Sequence, residues 1–244
     1  MFWSLLFLAG FSAGFINVIA GGGSFLVLAL LMLAGIPSSV ANATNRVSIM
    51  IQNSVGVYQL HTRGVRDDGY SLRFVPVSVV GSVIGAYMAI SLSDRLLDSI
   101  ISVVILISSV VISIDPYRRF SRLMNHNSHQ RLLQIAFFFI GVYGGILNAG
   151  VGYLMLACLT GLGGLTLIQA NYAKLVIALF YTGLALLIFS AHQLVNWPIG
   201  FVLAAGSASG AYVSSQLAVR SGSERIRRFI PIIAVMIVML LWLR

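Results

Sequence analysis

The sequence predicts an all-α, polytopic membrane protein made of two inverted repeats, each a glycine-broken helical hairpin followed by three transmembrane helices. Three observations carry this. First, 59% of the 244 residues are hydrophobic and 9% are charged, whereas a soluble domain carries about 25% charged residues. A chain this apolar cannot wet its own surface. Second, the apolar runs are long and continuous, as in Val75 to Ile90 and Ile100 to Ile114, which is the pattern of helices that satisfy their own backbone in hydrocarbon. Third, the chain repeats itself. Gly81-Ser82-Val83-Ile84-Gly85-Ala86-Tyr87 recurs as Gly206-Ser207-Ala208-Ser209-Gly210-Ala211-Tyr212, and Ser93-Asp94-Arg95 recurs as Ser223-Glu224-Arg225. Gly14-Phe15-Ile16-Asn17 matches Gly145-Ile146-Leu147-Asn148, and Ala41-Asn42 matches Ala170-Asn171, in the same order along the chain.

These matches divide the chain into a first repeat over residues 1–115, a basic cytoplasmic linker over 116–131 and a second repeat over 132–244. The first unit, Trp3 to Gly35, exceeds the roughly 20 residues that cross a bilayer upright. Gly21-Gly22-Gly23 interrupts it, and three such residues disfavour continuous helix. It is either one long broken helix or a hairpin that enters and returns. Arginine placement favours the hairpin. That topology puts Arg63, Arg66, Arg73, Arg118, Arg119, Arg122, Arg131, Arg220, Arg225, Arg227 and Arg228 on one face, eleven of the fifteen Lys and Arg residues, as the positive-inside rule requires. Each half then crosses an odd number of times, so the halves are inverted and both termini are periplasmic. Trp3, Trp197 and Trp242 fall near span ends, where interfacial aromatics sit. The N-terminus has no basic n-region and reads as a retained membrane segment.

The net charge of +9 is accounted for by these loops, so no nucleic-acid partner is expected. Two cations lie elsewhere. Arg46 follows Val40-Ala41-Asn42-Ala43-Thr44-Asn45, and Lys174 follows Gln169-Ala170-Asn171-Tyr172-Ala173, at nearly equivalent places in the two repeats and just inside apolar helices. A cation at membrane depth is costly and marks function by default; snorkelling to the headgroups is the plainer alternative. The breaks at Gly21-Gly22-Gly23-Ser24 and at Asn148-Ala149-Gly150-Val151-Gly152-Tyr153 expose backbone N–H groups, which suit an anion and recur at transporter sites between repeats. Asn17, Gly21, Gly22, Gly23, Ser24, Thr44, Asn45, Arg46, Asn148, Gly150, Gly152 and Lys174 are therefore the candidate substrate-binding residues. Gly81, Gly85, Gly206 and Gly210 have the spacing of tight helix packing instead.

The remaining residue types exclude other chemistries. All six acidic residues fall in loops or at span ends, leaving no buried carboxylate for a proton relay or sodium site. The single cysteine, Cys158, allows neither a disulfide nor a thiolate cluster, and the four histidines fall in predicted loops. No catalytic residue, metal site or cofactor is expected, and the protein is not expected to be an enzyme. The partners expected are a small anionic substrate and membrane lipid, with glycine-rich faces left over for a homodimer.

The segments Ala13-Gly14-Phe15-Ile16-Asn17, Ile19-Ala20-Gly21-Gly22-Gly23-Ser24-Phe25, Gly35-Ile36-Pro37 and Ala41-Asn42-Ala43-Thr44-Asn45-Arg46 resemble the sulfite exporter (TauE/SafE) family of membrane transporters. Gly141-Val142-Tyr143-Gly144-Gly145 and Ala173-Lys174-Leu175 are similar to its second repeat. The family's proline after the glycine run is missing from Leu26 to Leu33, and its second glycine motif is diluted. The resemblance implies a bacterial inner-membrane transporter that exports sulfite or a related organosulfur anion by alternating access between two repeats. An anion channel, or another cargo such as lipid, is the alternative. Export agrees with electrostatics, since an anion leaving a negative interior gains about 2.3 kcal/mol per charge per 100 mV.

Overall fold

The computed structural model describes residues 2–19, 21–114 and 130–221. The expected linker and last apolar span, with Glu224, Arg225, Arg227, Arg228 and Trp242, lie outside the described residues. Among the described residues there are helices and turns and no strand. The helices are α1 (Phe2–Ile19), α2 (Ser24–Leu33), α3 (Ser38–Thr62), α4 (Val75–Ser91), α5 (Asp94–Ile114), α6 (Gln130–Ile146), α7 (Val151–Gly161), α8 (Leu167–Ala191) and α9 (Trp197–Ser221).

The glycine run ends α1 at Ile19 and α2 restarts at Ser24. Gly21 takes φ +92, a left-handed conformation that lets the chain reverse without strain only because it lacks a side chain. Gly23 lies against the Ala13 carbonyl, so α2 packs back on α1. At 10 residues and about 1.5 Å per residue, α2 is far too short to cross a bilayer. In the second half the chain again breaks after α6, at Gly150 (φ +73), before the 11-residue α7.

The long helices α3 and α8, 25 residues each, cross at the centre and run antiparallel. His61 near the end of α3 meets Tyr172 near the start of α8, Met50 lies over Gly183, and Arg46 lies over Phe189. His61, expected in a loop, sits in the last turn of α3, because that helix continues through it to Thr62. Around this pair, α1 packs on α9 and α4 packs on α6. Both contacts bring backbones together through glycine: Gly10, Gly14, Gly206 and Gly210 line one, and Gly81, Gly85, Gly141 and Gly145 line the other. A Cβ at any of these would overlap a carbonyl oxygen or backbone carbon of the facing helix. The small-residue spacing therefore does serve packing, and the glycines of each motif face the backbone of a helix from the other half of the chain.

Helix starts are set locally. Thr166 and Gln169 form a reciprocal capping box at α8. At α3 the cap is remote: the Asp94 carboxylate accepts from the Ser39 N–H at 3.0 Å and from the Ser38 hydroxyl at 3.2 Å. Leu167–Ala191, with mean hydropathy 2.0, is the one helix among the described residues long and apolar enough to cross a membrane. The equally long α3 carries Asn42, Asn45, Arg46, Gln52 and Asn53 in its interior.

Candidate functional site

Polarity is distributed inside out. Leu33 is 71% exposed and Leu187 66%, with Leu8, Phe139 and Phe201 also exposed, whereas Arg46 is 0% exposed and Lys174 3%. An outer surface of leucine and phenylalanine, with charged side chains held inside, is stable where the solvent is hydrocarbon.

Each buried cation closes a helix end. The last four carbonyls of a helix have no partner within it. At the end of α6, Leu147 N–H takes the Tyr143 carbonyl (2.7 Å), Arg46 donates to Gly144 O (3.0 Å) and Gly145 O (2.6 Å), and Asn42 donates to Ile146 O (2.7 Å). The Arg46 guanidinium also lies 4.6 Å from the centre of the Phe189 ring, a favourable stacking for a desolvated cation. At the end of α1, Gly21 N–H takes Ile16 O (3.2 Å) and the Lys174 ammonium donates to Asn17 O (2.7 Å) and Val18 O (3.3 Å). In both cases positive charge meets the negative end of a helix from the other half of the chain.

The two breaks touch. Gly21 and Gly152 pack backbone to backbone, and a Cβ on either would overlap the other. Beside this contact is a cavity with about 300 Å³ of empty space including its mouth, lined by Asn17, Gly21, Ser24, Ile49, Gln52, Asn53, Asn148, Gly152, Met155, Lys174, Ala178 and Tyr181. Most of the lining falls in pairs. Asn17 and Asn148, Gly21 and Gly152, and Ser24 and Met155 are each 131 residues apart, while Ile49 and Ala178, and Gln52 and Tyr181, are each 129 apart. Among the described residues Lys174 is the one cation on this wall, and none of them brings a carboxylate to it. Among the described residues no group of His, Cys, Asp and Glu could hold a metal ion.

Hydrogen bonds fix most of the polar wall. Asn17 donates to the Ser24 hydroxyl (2.9 Å) and accepts from Gly23 N–H (2.6 Å), tying its own break. Asn148 instead reaches α8, donating to Thr182 Oγ1 (2.9 Å) and accepting from the Tyr181 hydroxyl (2.7 Å). Gln52 Oε1 and Asn53 Nδ2 are buried with no hydrogen-bond partner.

Of the residues expected from the sequence, Asn17, Gly21, Ser24, Asn148, Gly152 and Lys174 converge on the cavity. Gly22 packs under the Tyr153 ring, Gly23 against Ala13, and Gly150 supplies the left-handed turn of its break. Arg46 and Asn45 are buried off the wall, Asn45 reaching Ser24 O at 3.5 Å. Thr44 accepts from Asn196 N–H (2.9 Å) and so holds the α8–α9 connection. Gln52, Asn53 and Tyr181 join the site without having been expected. The signal for the first two was present: Asn45, Gln52 and Asn53 recur two turns apart within an apolar helix.

This fold and site define a helical membrane protein with a small polar chamber at the meeting of two broken helices. The sequence model of the family described as Sulfite exporter TauE/SafE matches residues 6–242, and the chain belongs to that family. It is similar to a "Probable membrane transporter protein" of Haemophilus influenzae, 30% identical over 243 residues that cover 96% of this chain and 91% of the relative. It is also similar to "Probable membrane transporter protein YfcA" of Escherichia coli K12, 29% identical over 94% of this chain and 86% of the relative. "Probable membrane transporter protein ORF9" of Sinorhizobium sp is 24% identical over 95% and 89%. No solved structure matches. The protein is thus a multi-pass membrane transporter of the TauE/SafE type.

Proposed function

We propose that the chain carries a small oxyanion, sulfite or a related organosulfur anion, outward across a bacterial inner membrane, and that the central cavity is its binding site. The observation that carries this is the chamber where the glycine breaks meet, with the Lys174 charge, several amides and no carboxylate on its wall. Such a wall attracts an anion and repels nothing that an anion brings. The space open to water inside it is about 30 Å³, well below the usual range for ligand pockets, so it admits only a very small molecule unless the walls part.

The two halves act as inverted repeats moving against each other. In support, α3 and α8 are antiparallel, each half's first helix is clasped by a helix of the other, and the cavity wall is made of paired positions. Transporters built this way hold their substrate at the repeat interface. Both termini are periplasmic in this reading, and membrane lipid covers the apolar exterior.

The test is sulfite efflux from proteoliposomes under an imposed potential, comparing wild type with Lys174→Ala. Efflux in the wild type should be lost in a variant that still elutes as a folded species. Undiminished efflux in Lys174→Ala would overturn the assignment of the site, and no efflux of any small anion by the wild type would overturn the function.

A further inference from the structure

We propose that the parts that move against each other in transport are two bodies, each holding one helix taken from the other repeat. The first is α1, α2 and α3 with α9, and the second is α6, α7 and α8 with α4. The proposal rests on the transport reading above and says where, within it, the molecule divides.

Each body is joined by backbone against backbone. Gly10 and Gly14 of α1 meet Leu203 and Ser207 of α9, and Gly141 and Gly145 of α6 meet Ser78 and Ser82 of α4. The two interfaces use the same positions of the repeat. Gly10 and Gly141 are 131 apart, as are Gly14 and Gly145, while Ser78 and Leu203 are 125 apart, as are Ser82 and Ser207. The exchanged helix then bonds the long helix of the body it joins. Ser207 donates to Ser48 O on α3 (3.0 Å), and Ser82 donates to Tyr181 O on α8 (2.8 Å). Close-packed backbones do not deform continuously, so each group moves as a piece. Asp94, bonded to Ser38 and Ser39, keeps the start of α5 with the first body.

The seam between the bodies is of another kind. Long side chains cross it: Met50 lies over Gly183 and Leu175 over Gly56. The two buried cations reach over it in opposite senses, Arg46 from the first body to α6 and Lys174 from the second to α1. Such side chains can swing and change partners without unpacking a helix pair. The cavity lies on this seam, with the half of its lining from Asn17 to Asn53 on the first body and the half from Asn148 to Tyr181 on the second. Passage of an anion through so small a space needs the walls to part, and the seam is where they meet.

The chain limits how the seam opens. At one end it crosses by short connections, residues 92–93 between α4 and α5 and residues 192–196 between α8 and α9. At the other end residues 63–74 join α3 to α4, so the wider opening falls there, where His61 meets Tyr172. Two histidine–tyrosine contacts make a matched comparison. His61 and His192, 131 apart, lie at the ends of α3 and α8. His61 faces Tyr172 across the seam, and His192 faces Tyr87 within the second body, each pair with ring centres 6.2 Å apart.

The experiment is sulfite efflux from proteoliposomes holding the full-length protein, with Cys158→Ser removing its single cysteine. Two double variants, His61→Cys with Tyr172→Cys and Tyr87→Cys with His192→Cys, are measured before and after bridging by the same bis-maleimide. Mass spectrometry of the bridged peptides gives the yield. Bridging across the seam should abolish efflux, and bridging within the second body should leave it unchanged. Each bridged sample is compared with its own unbridged form, so a weakened variant does not mimic the result. Efflux blocked by both bridges would mean that α4 moves with the rest of the first repeat, and the proposal falls. Efflux that continues with the His61 and Tyr172 positions bridged would mean that the seam does not open there, and it falls likewise. Spin labels on the same pairs give an independent reading: added sulfite should change the distance across the seam and not the one within the body, and the reverse would overturn the division. If the wild type carries no small anion, the transport reading itself falls, and this one with it.

Discussion

Arg46 and Lys174 perform the same local task on opposite halves of the chain. Each closes the carbonyl end of a broken helix with two hydrogen bonds. Yet Lys174 lines the cavity and Arg46 does not. The two are not equivalent in register. Positions of α3 and α8 that share the cavity wall are 129 apart, so the counterpart of Lys174 is Asn45, and Arg46 lies one residue further on. One residue turns a helix by about 100°, so Arg46 is aimed into the packing against α6 and Phe189, while Asn45 is held by the Ser24 carbonyl and brings no charge to the wall. A pair of cations that looks symmetric in the sequence is therefore divided, one at the chamber and one within the scaffold.

The largest effect that could break this division is on folding. Arg46→Ala would leave the Gly144 and Gly145 carbonyls unpaired and open a void at a fully buried site. It should destabilise the protein by about 3 kcal/mol or more. Lys174→Ala leaves Asn17 O and Val18 O beside the polar cavity, where water can reach them. It should lower the thermal midpoint less while losing anion binding. Thermal unfolding in detergent with and without sulfite separates the two. Equal destabilisation, with binding retained by Lys174→Ala, would erase the distinction.

The next effect concerns the two breaks. Gly21 and Gly152 each exclude a Cβ because the other's backbone is there, but only Gly21 has positive φ. Gly152→Ala should cost about 1–3 kcal/mol of overpacking. Gly21→Ala should cost about 1 kcal/mol more for the left-handed conformation. The order of the two thermal midpoints checks this. Gly152→Ala unfolding earlier than Gly21→Ala would show that the breaks do not meet as described.

Much of this was legible because local rules acted alone. Glycine runs break helices wherever they fall, so the interruptions at Gly21 and Gly150 were readable, as was the small-residue spacing of Gly81, Gly85, Gly206 and Gly210. Of the six expected site residues that reach the cavity, all but Lys174 flank those breaks. What was not legible depends on partners far along the chain. Spacing says that Gly81 approaches a backbone but not that the backbone is Phe138's. Equivalence of Arg46 and Lys174 in the sequence holds only to within a residue, and a residue decides which way a side chain points. An amide in an apolar helix is usually satisfied by a neighbouring helix, and only the packed structure shows Gln52 Oε1 and Asn53 Nδ2 without a partner.

The smallest effect sharpens the contrast between the asparagines at the breaks. Asn17 spans its own break, accepting from the Gly23 N–H just before α2, whereas Asn148 ties its break to Thr182 and Tyr181 on α8. Removing one hydrogen bond costs about 1 kcal/mol, and this one acts where α2 begins. Asn17→Ala should therefore raise amide hydrogen exchange in a peptide covering Gly23 to Leu28 and leave α8 protected. Asn148→Ala strips the Tyr181 hydroxyl of its acceptor, so exchange should rise along α8 around Tyr181 and Thr182 instead. The same exchange pattern in both variants would mean that the two breaks are held in the same way. Distinct patterns would mean that the first break is held by itself and the second by the long helix that carries Lys174. Motion of α8 would then reach the chamber through the second break before the first.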